Sequence, residues 1–168
     1  RCDQRGAFRK ITEGKTLKAV LQRVSSAGIT IDREYSNGEI GQGLTVLLGV
    51  MEGDTKAQAE FLAKKICGLR VFSDEQGKQN LSLQDIDGEM MIVSNFTLGA
   101  DCRHGRRPFY AQAAAPDVAQ ALYDYFVDCV KQETVKKVIT GVFGAHMDLH
   151  IEADGPVTII LDTQELGK

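Results

Sequence analysis

The sequence predicts an α+β fold: a single domain in which a curved, barrel-like, mostly antiparallel sheet carries two main helices. Three observations predict it. Short apolar and β-branched segments bounded by Gly, Asn and Ser recur from residue 17 to residue 162, as strands do. Only two stretches, opening near residues 55 and 116, repeat apolar residues at helical spacing. A length of 168 residues suffices for one ordinary core and is short for two.

The elements follow in order. Residues 17–24 alternate and are rich in aliphatic side chains, so they form the first strand. Ile29-Thr30-Ile31 and a partner beyond Ser36-Asn37-Gly38 predict a hairpin, because Asn-Gly supplies the positive φ of a tight turn. Residues 44–50 are a continuous apolar run, expected of a strand buried on both faces. Asp54 is the expected N-cap of a helix over 55–69, with Ala59, Leu62, Ala63 and Ile66 facing the core. A short strand at 70–72, a polar turn at 74–78 and an irregular stretch at 80–85 lead to a strand through Met90-Met91-Ile92-Val93. Pro116-Asp117 opens the second helix, with Val118, Leu122, Tyr125, Phe126 and Cys129 on its apolar stripe. Strands over 135–142, 147–151 and 157–162 close the chain, the first two joined through Phe143-Gly144-Ala145. There is no internal repeat or low-complexity linker.

Composition excludes several classes of function. With 43% hydrophobic and 26% charged residues the chain reads as an ordinary globular domain. No apolar run approaches the ~20 residues that span a bilayer, so no membrane partner is expected and the location is read as cytoplasmic. Residues 1–16 mix charge with glycine and are not a secretory signal; they read as a disordered tail or an over-extended start, leaving a domain over 17–168. Cys2, Cys67, Cys102 and Cys129 are scattered with no C-x-x-C pair, which predicts plain thiols. A net charge of −3 argues against a broad basic surface, so any nucleic-acid contact rests on a local patch. Arg103-His104-Gly105-Arg106-Arg107 is such a patch; its plainer reading is a solvated loop.

Two short segments carry the most chemistry. Ser94-Asn95-Phe96-Thr97-Leu98 puts hydroxyls and an amide at the end of an apolar strand. Gly155-Pro156-Val157-Thr158 sets a Gly-Pro step between Asp154 and an apolar run. His146, Asp148 and His150 would share one strand face and in principle hold a metal; the wet face of a half-buried strand is the commoner reading, and no metal or other cofactor is expected.

Lys18-Ala19-Val20-Leu21-Gln22-Arg23-Val24-Ser25, Gly43-Leu44, Gly49-Val50, Asn80-Leu81-Ser82-Leu83, Ser94 to Leu98, Arg106-Arg107-Pro108, Gly141 to Ala145 with Met147, and Asp154 to Thr158 occur in one order along the chain. In that order they resemble the D-aminoacyl-tRNA deacylases, also called D-tyrosyl-tRNA deacylases, over almost all of the chain from Leu17 onward. The resemblance implies a homodimer that hydrolyses the ester joining a D-amino acid to the terminal adenosine of tRNA, as chiral proofreading. It implies that Ser94, Asn95, Phe96 and Thr97 line the site, Phe96 near the adenine and Thr97 near the ester. Ala119 and Met147 would shape the amino-acid end. Gly155-Pro156 carries a cis peptide in the family and enters the site of the partner subunit. Its carbonyls would hold the amino group so that an L side chain meets backbone, and a filter of that kind leaves glycyl-tRNA as a side substrate. Arg103, Arg106 and Arg107 would then meet tRNA phosphates, which positions without specifying.

Two catalytic schemes stay open. Thr97 attacks the ester, with His104 as a base brought near in space. Alternatively the 2′-hydroxyl of the terminal ribose assists water while backbone N–H groups around Phe96 and Thr97 receive the oxyanion, and this scheme is favoured. The family form has glutamine at Asn95 and asparagine at Ala153, and usually begins with methionine at Leu17. The shorter amide has less reach, and the loss of a polar side chain at Ala153 questions how the Gly155-Pro156 turn is braced. Those departures keep two alternatives in view: editing of glycine or a small L-amino acid mischarged on tRNA, and a non-catalytic RNA-binding relative.

Overall fold

β1 (Lys18–Ile31) organises the molecule. The structure is a computed structural model describing residues 16–133 and 135–167; the expectation of a tail over residues 1–16 falls, but for Thr16, outside the described residues. One edge of β1 is taken along its length by β8 (Met147–Asp162), antiparallel. The other edge is divided between β3 (Gly43–Gly49), which pairs with residues 18–24, and β2 (Tyr35–Ile40), which pairs with residues 27–31. β6 (Glu89–Ser94) joins β3 and β7 (Lys137–Thr140) joins β6, both parallel, so the order is β2-β1-β3-β6-β7 with β8 off β1. Parallel neighbours require crossovers. α1 (Lys56–Gly68) and the small hairpin of β4 (Phe72–Ser73) and β5 (Gln79–Leu81) lie between β3 and β6, and α2 (Pro116–Gln132) lies between β6 and β7.

The sheet curls until its ends meet. Asn37 Nδ2 donates to the Thr140 carbonyl at 2.5 Å and Lys137 Nζ to the Glu39 carbonyl at 2.6 Å, tying β2 to β7. Two cores result. Inside the curl lie Val24, Ala27, Ile29, Ile31, Ile40, Met91, Val93 and Ile139. Between the sheet and the helices lie Leu21, Leu44, Val46, Leu48, Met90 and Ile92 with Leu62, Ile66 and Phe126. β6 is apolar from Met90 to Val93 because its alternating side chains serve both cores.

Local expectations held or shifted for identifiable reasons. Ala59, Leu62, Ala63 and Ile66 are fully buried. The cap of α1 is Thr55 rather than Asp54: the Thr55 N–H donates to Gln58 Oε1 at 2.9 Å, while Asp54 Oδ2 accepts the Met51 N–H at 2.7 Å. The β1–β2 turn is made by Asp32 (φ 49) and Arg33 (φ 60), with the Glu34 N–H on the Ile31 carbonyl at 2.9 Å. Asn37-Gly38 instead forms a bulge in β2, where Gly38 takes φ 109. The α2 stripe is turned by one residue: Ala119, Leu122, Tyr123, Phe126, Val127 and Val130 are buried and Val118 is exposed. The Tyr123 hydroxyl decides that rotation by reaching the Ile92 carbonyl at 2.8 Å. Asn80 and Leu81, expected to open an irregular stretch over 80–85, belong to β5, which pairs with β4. The last two expected strands are one, β8, bulged between Ala153 and Thr158.

Candidate active site

β6 ends at Ser94, and the Asn95 N–H extends the ladder by one bond to the Leu48 carbonyl at 2.8 Å. Asn95 (φ −142°, ψ 90°) then caps a single 3-10 turn, Phe96–Gly99: its Oδ1 accepts the Thr97 N–H at 3.3 Å and the Thr97 hydroxyl at 2.5 Å. Two glycines let this turn press onto the end of β3. A Cβ at Gly49 would stand 2.9 Å from Leu98 Cβ and 3.1 Å from the Asn95 carbonyl oxygen, and one at Gly99 would stand 2.5 Å from Met51 Sδ.

Beside the turn opens a pocket of about 640 Å³. Val50, Ser94, Asn95 and Phe96 form one wall. Tyr110 and residues 113–116, which lead into α2, form a second with Ala119. Phe143, Gly144, Ala145 and Met147, around the start of β8, form the third. Tyr123, behind this wall, leans on Phe143 with ring centroids 6.4 Å apart. At the mouth the Phe96 ring is 57% exposed and meets Tyr110 edge-on, with centroids 5.1 Å apart and planes at 74°.

No carboxylate, imidazole, amine or thiol belongs to this wall. The donors available include the hydroxyls of Ser94 and Tyr110, the Asn95 amide and the N–H of Phe96, which no described residue accepts. Such a site binds an apolar or aromatic group and offers hydrogen bonds to an oxygen; it has no side chain suited to remove a proton.

The structure thus brings Ser94, Asn95, Phe96, Ala119 and Met147 together. Thr97 is exposed and stands off the wall, its hydroxyl donated to an amide oxygen. Gly155 and Pro156 are exposed on the β8 bulge and line no part of this pocket. They lie eight and nine residues along β8 from Met147, roughly 26–30 Å at ~3.3 Å per residue. Their peptide bond is cis, and Gly155 has φ 120. β1 braces the bulge. Arg23, buried among Leu21 and Val24, places Nε 3.1 Å from Asp154 Oδ2 and 3.3 Å from the Asp154 carbonyl oxygen, and donates Nη1 to the Val71 carbonyl at 2.7 Å. Gln22 Nε2 donates to the Val157 carbonyl at 3.2 Å and Gln22 Oε1 accepts the Thr158 hydroxyl at 2.6 Å. Support for the turn therefore comes from β1, and Ala153 leaves no gap in it.

The arginine loop, 102–108, is closed at its base by Asp101 and Phe109, which exchange backbone hydrogen bonds of 2.7 and 2.9 Å. Arg103, itself exposed, folds back on the base of the loop: Nε and Nη2 reach the two Asp101 oxygens at 2.9 and 2.6 Å, which holds that carboxyl well below the usual carboxylate range. Arg106 and Arg107 are exposed, and no described residue pairs with them. His146 and Asp148 share an exposed face, 3.2 Å apart, with Arg33 Nε 3.5 Å from Asp148. Among the described residues no group of three ligating side chains could hold a metal ion.

Tyr110, Val50 and residues 113–116 were not anticipated as wall residues, nor Gln22 and Arg23 as the brace. An arginine inside an alternating apolar strand is the one local signal that pointed to the brace.

The D-Tyr-tRNA(Tyr) deacylase family matches residues 20–162. A D-aminoacyl-tRNA deacylase of Thermosipho melanesiensis is 50% identical over 150 residues, covering 89% of this chain and 99% of the relative. One from Dehalococcoides mccartyi is 55% identical over 149 residues, covering 89% and 96%. Among solved structures, the c-Myc DNA unwinding element binding protein superposes with a TM-score of 0.77 at 38% identity, covering 86% of this chain and 97% of that one. A probable eukaryotic D-amino acid tRNA deacylase has the same fold, with a TM-score of 0.79 at 20% identity over 88% and 99%.

Proposed function

The chain belongs to the D-Tyr-tRNA(Tyr) deacylase family, and from that premise we propose that its pocket hydrolyses D-aminoacyl-tRNA by a mechanism in which no protein side chain acts as base or nucleophile. The activity is that of a hydrolase: water cleaves the ester, releasing a free D-amino acid and tRNA. The observation that carries the mechanism is the pocket wall itself, which has no ionisable group able to take a proton near neutral pH. Activation and positioning of the attacking water then fall to the substrate. The 2′-hydroxyl of the terminal ribose is the adjacent candidate, with the Phe96 N–H receiving the developing oxyanion. One such donor is worth roughly 10²–10³ in rate.

Phe96 and Tyr110 provide the aromatic surface for the terminal adenine, and Ala119 and Met147 bound the amino-acid end. Thr97 and Asn95 hold the turn that carries the Phe96 N–H. Chirality is read in a homodimer: the Gly155 and Pro156 carbonyls, displayed far from their own pocket, enter that of the partner subunit and accept the substrate's amino group. A D side chain then points away from backbone and an L side chain into it, while glycine meets no obstacle. Arg106 and Arg107 steer tRNA phosphates to the mouth, and Arg103, tied to Asp101, shapes the loop. No helix among the described residues is long and apolar enough to cross a membrane, and proofreading of charged tRNA belongs in the cytoplasm.

The test is hydrolysis of D-tyrosyl- beside L-tyrosyl-tRNA, repeated with a 2′-deoxy terminal adenosine. Turnover of the D ester alone, lost on removing the 2′-hydroxyl, is the expected result. Full turnover of the deoxy substrate would sink the substrate-assisted mechanism.

A further inference from the structure

The mouth of the pocket carries a feature that ester hydrolysis does not use. Phe109 follows the arginine loop and is 65% exposed, more than any other Phe or Tyr among the described residues. Its position is fixed: both backbone groups are bonded to Asp101, and the next residue, Tyr110, is the ring that meets Phe96 across the mouth. Arg106 and Arg107 stand three and two residues before it, exposed and unpaired among the described residues, whereas Arg103 is neutralised by Asp101. An exposed aromatic ring within three residues of two exposed guanidinium groups, in the segment that leads into the pocket's Tyr110, suits single-stranded nucleic acid, bases on the ring and phosphates on the cations.

Resting on the deacylase reading, we propose that Phe109, Arg106 and Arg107 form a subsite for the nucleotide immediately 5′ of the terminal adenosine. An adenosine seated on the surface made by Phe96 and Tyr110 leaves its 5′ phosphate at the mouth, because the pocket wall has no cation to hold it. The strand then leaves past Arg106 and Arg107, the loop's guanidinium groups without a partner among the described residues. Its next base meets the Phe109 ring there. Stacking tolerates any base, so the subsite gives reach along the strand without choosing among tRNAs.

The experiment compares kcat/KM for the D-tyrosyl ester of adenosine with that of the trinucleotide CCA, at low and high salt. The parent should prefer the trinucleotide by about 5- to 150-fold, the range expected for one stacked base. In Phe109→Ala that ratio falls toward one, and Phe109→Tyr restores it. In the double variant Arg106→Gln/Arg107→Gln the ratio falls and no longer responds to salt. A ratio unchanged in Phe109→Ala, an equal loss on both esters, or no preference in the parent overturns the subsite. Failure of the parent to hydrolyse either ester would instead remove the deacylase reading on which the subsite rests.

Discussion

Thr97 is held by an amide, and that single contact separates two mechanisms. Its hydroxyl donates to Asn95 Oδ1 at 2.5 Å, and an amide oxygen cannot carry the proton away from an attacking alkoxide. The shorter side chain at 95 also finds a use here, since asparagine has the reach to cap its own turn through the Thr97 N–H at 3.3 Å. Thr97→Ala should therefore keep kcat/KM for a D-aminoacyl-tRNA within about tenfold of the parent, where loss of a true nucleophile costs about 10⁶-fold. Steady-state assays decide it, and a near-total loss in a protein with an unchanged melting temperature would return Thr97 to the role of nucleophile.

At the scale of elements, the site depends on how closely the 3-10 turn sits on β3. Gly49 permits that approach, because a Cβ there would push against Leu98 Cβ and the Asn95 carbonyl. Gly49→Ala should displace the Phe96 N–H, lowering kcat by about 10- to 100-fold, part of what an oxyanion donor supplies. Its stability cost should stay near 1–3 kcal/mol, typical of overpacking. An unchanged kcat would show that the donor lies elsewhere. The β1–β2 hairpin teaches a related lesson about local signals. Asn37-Gly38 has the composition of a tight turn, yet it lies in a bulge because Asn37 is drawn to Thr140 on β7, across the closure of the sheet.

For the whole molecule, Asp54 links the parts. It lies between the end of β3 and the cap of α1; its carboxylate accepts the Met51 N–H, and Asp162 at the end of β8 adds repulsion. Burial is the largest influence and pushes its pKa up to about 6, against the downward pull of the N–H groups of Met51, Thr16 and Leu17. A raised folded-state value means the fold favours protonated Asp54. Its contribution to stability is complete below about pH 4, the unfolded value, and is lost as pH rises through about 6. Asp54→Asn should thus be more stable than the parent at pH 7.5, by at most about 3 kcal/mol at ~1.4 kcal/mol per pKa unit, with the gap closing by pH 4. Denaturant melts at pH 4, 6 and 7.5 measure this; parallel curves for the two proteins would refute it.

The sequence by itself determined the α+β class, the placement of the two helices and the apolar run of β6, because each is written in local periodicity or in adjacent residues; the segment 94–97, expected as the end of that strand, leaves it after Ser94 for a 3-10 turn. It carried the family through ordered words spread over the chain. It did not carry what depends on residues far apart meeting. The closure of β2 on β7, the seat of Tyr110 against Phe96 and the brace from Arg23 to Asp154 are contacts across 14 to 131 positions, and only packing selects them. The rotation of α2 was decided in the same way, by one hydroxyl reaching the Ile92 carbonyl. Tertiary structure also separated the two chemical segments: the turn after β6 borders a pocket, and Gly155-Pro156 lies exposed on the β8 bulge and lines no part of it. The physical reason is reach: periodicity and turn chemistry act over a few residues, while a site is closed by whatever the curvature of the sheet brings to its rim.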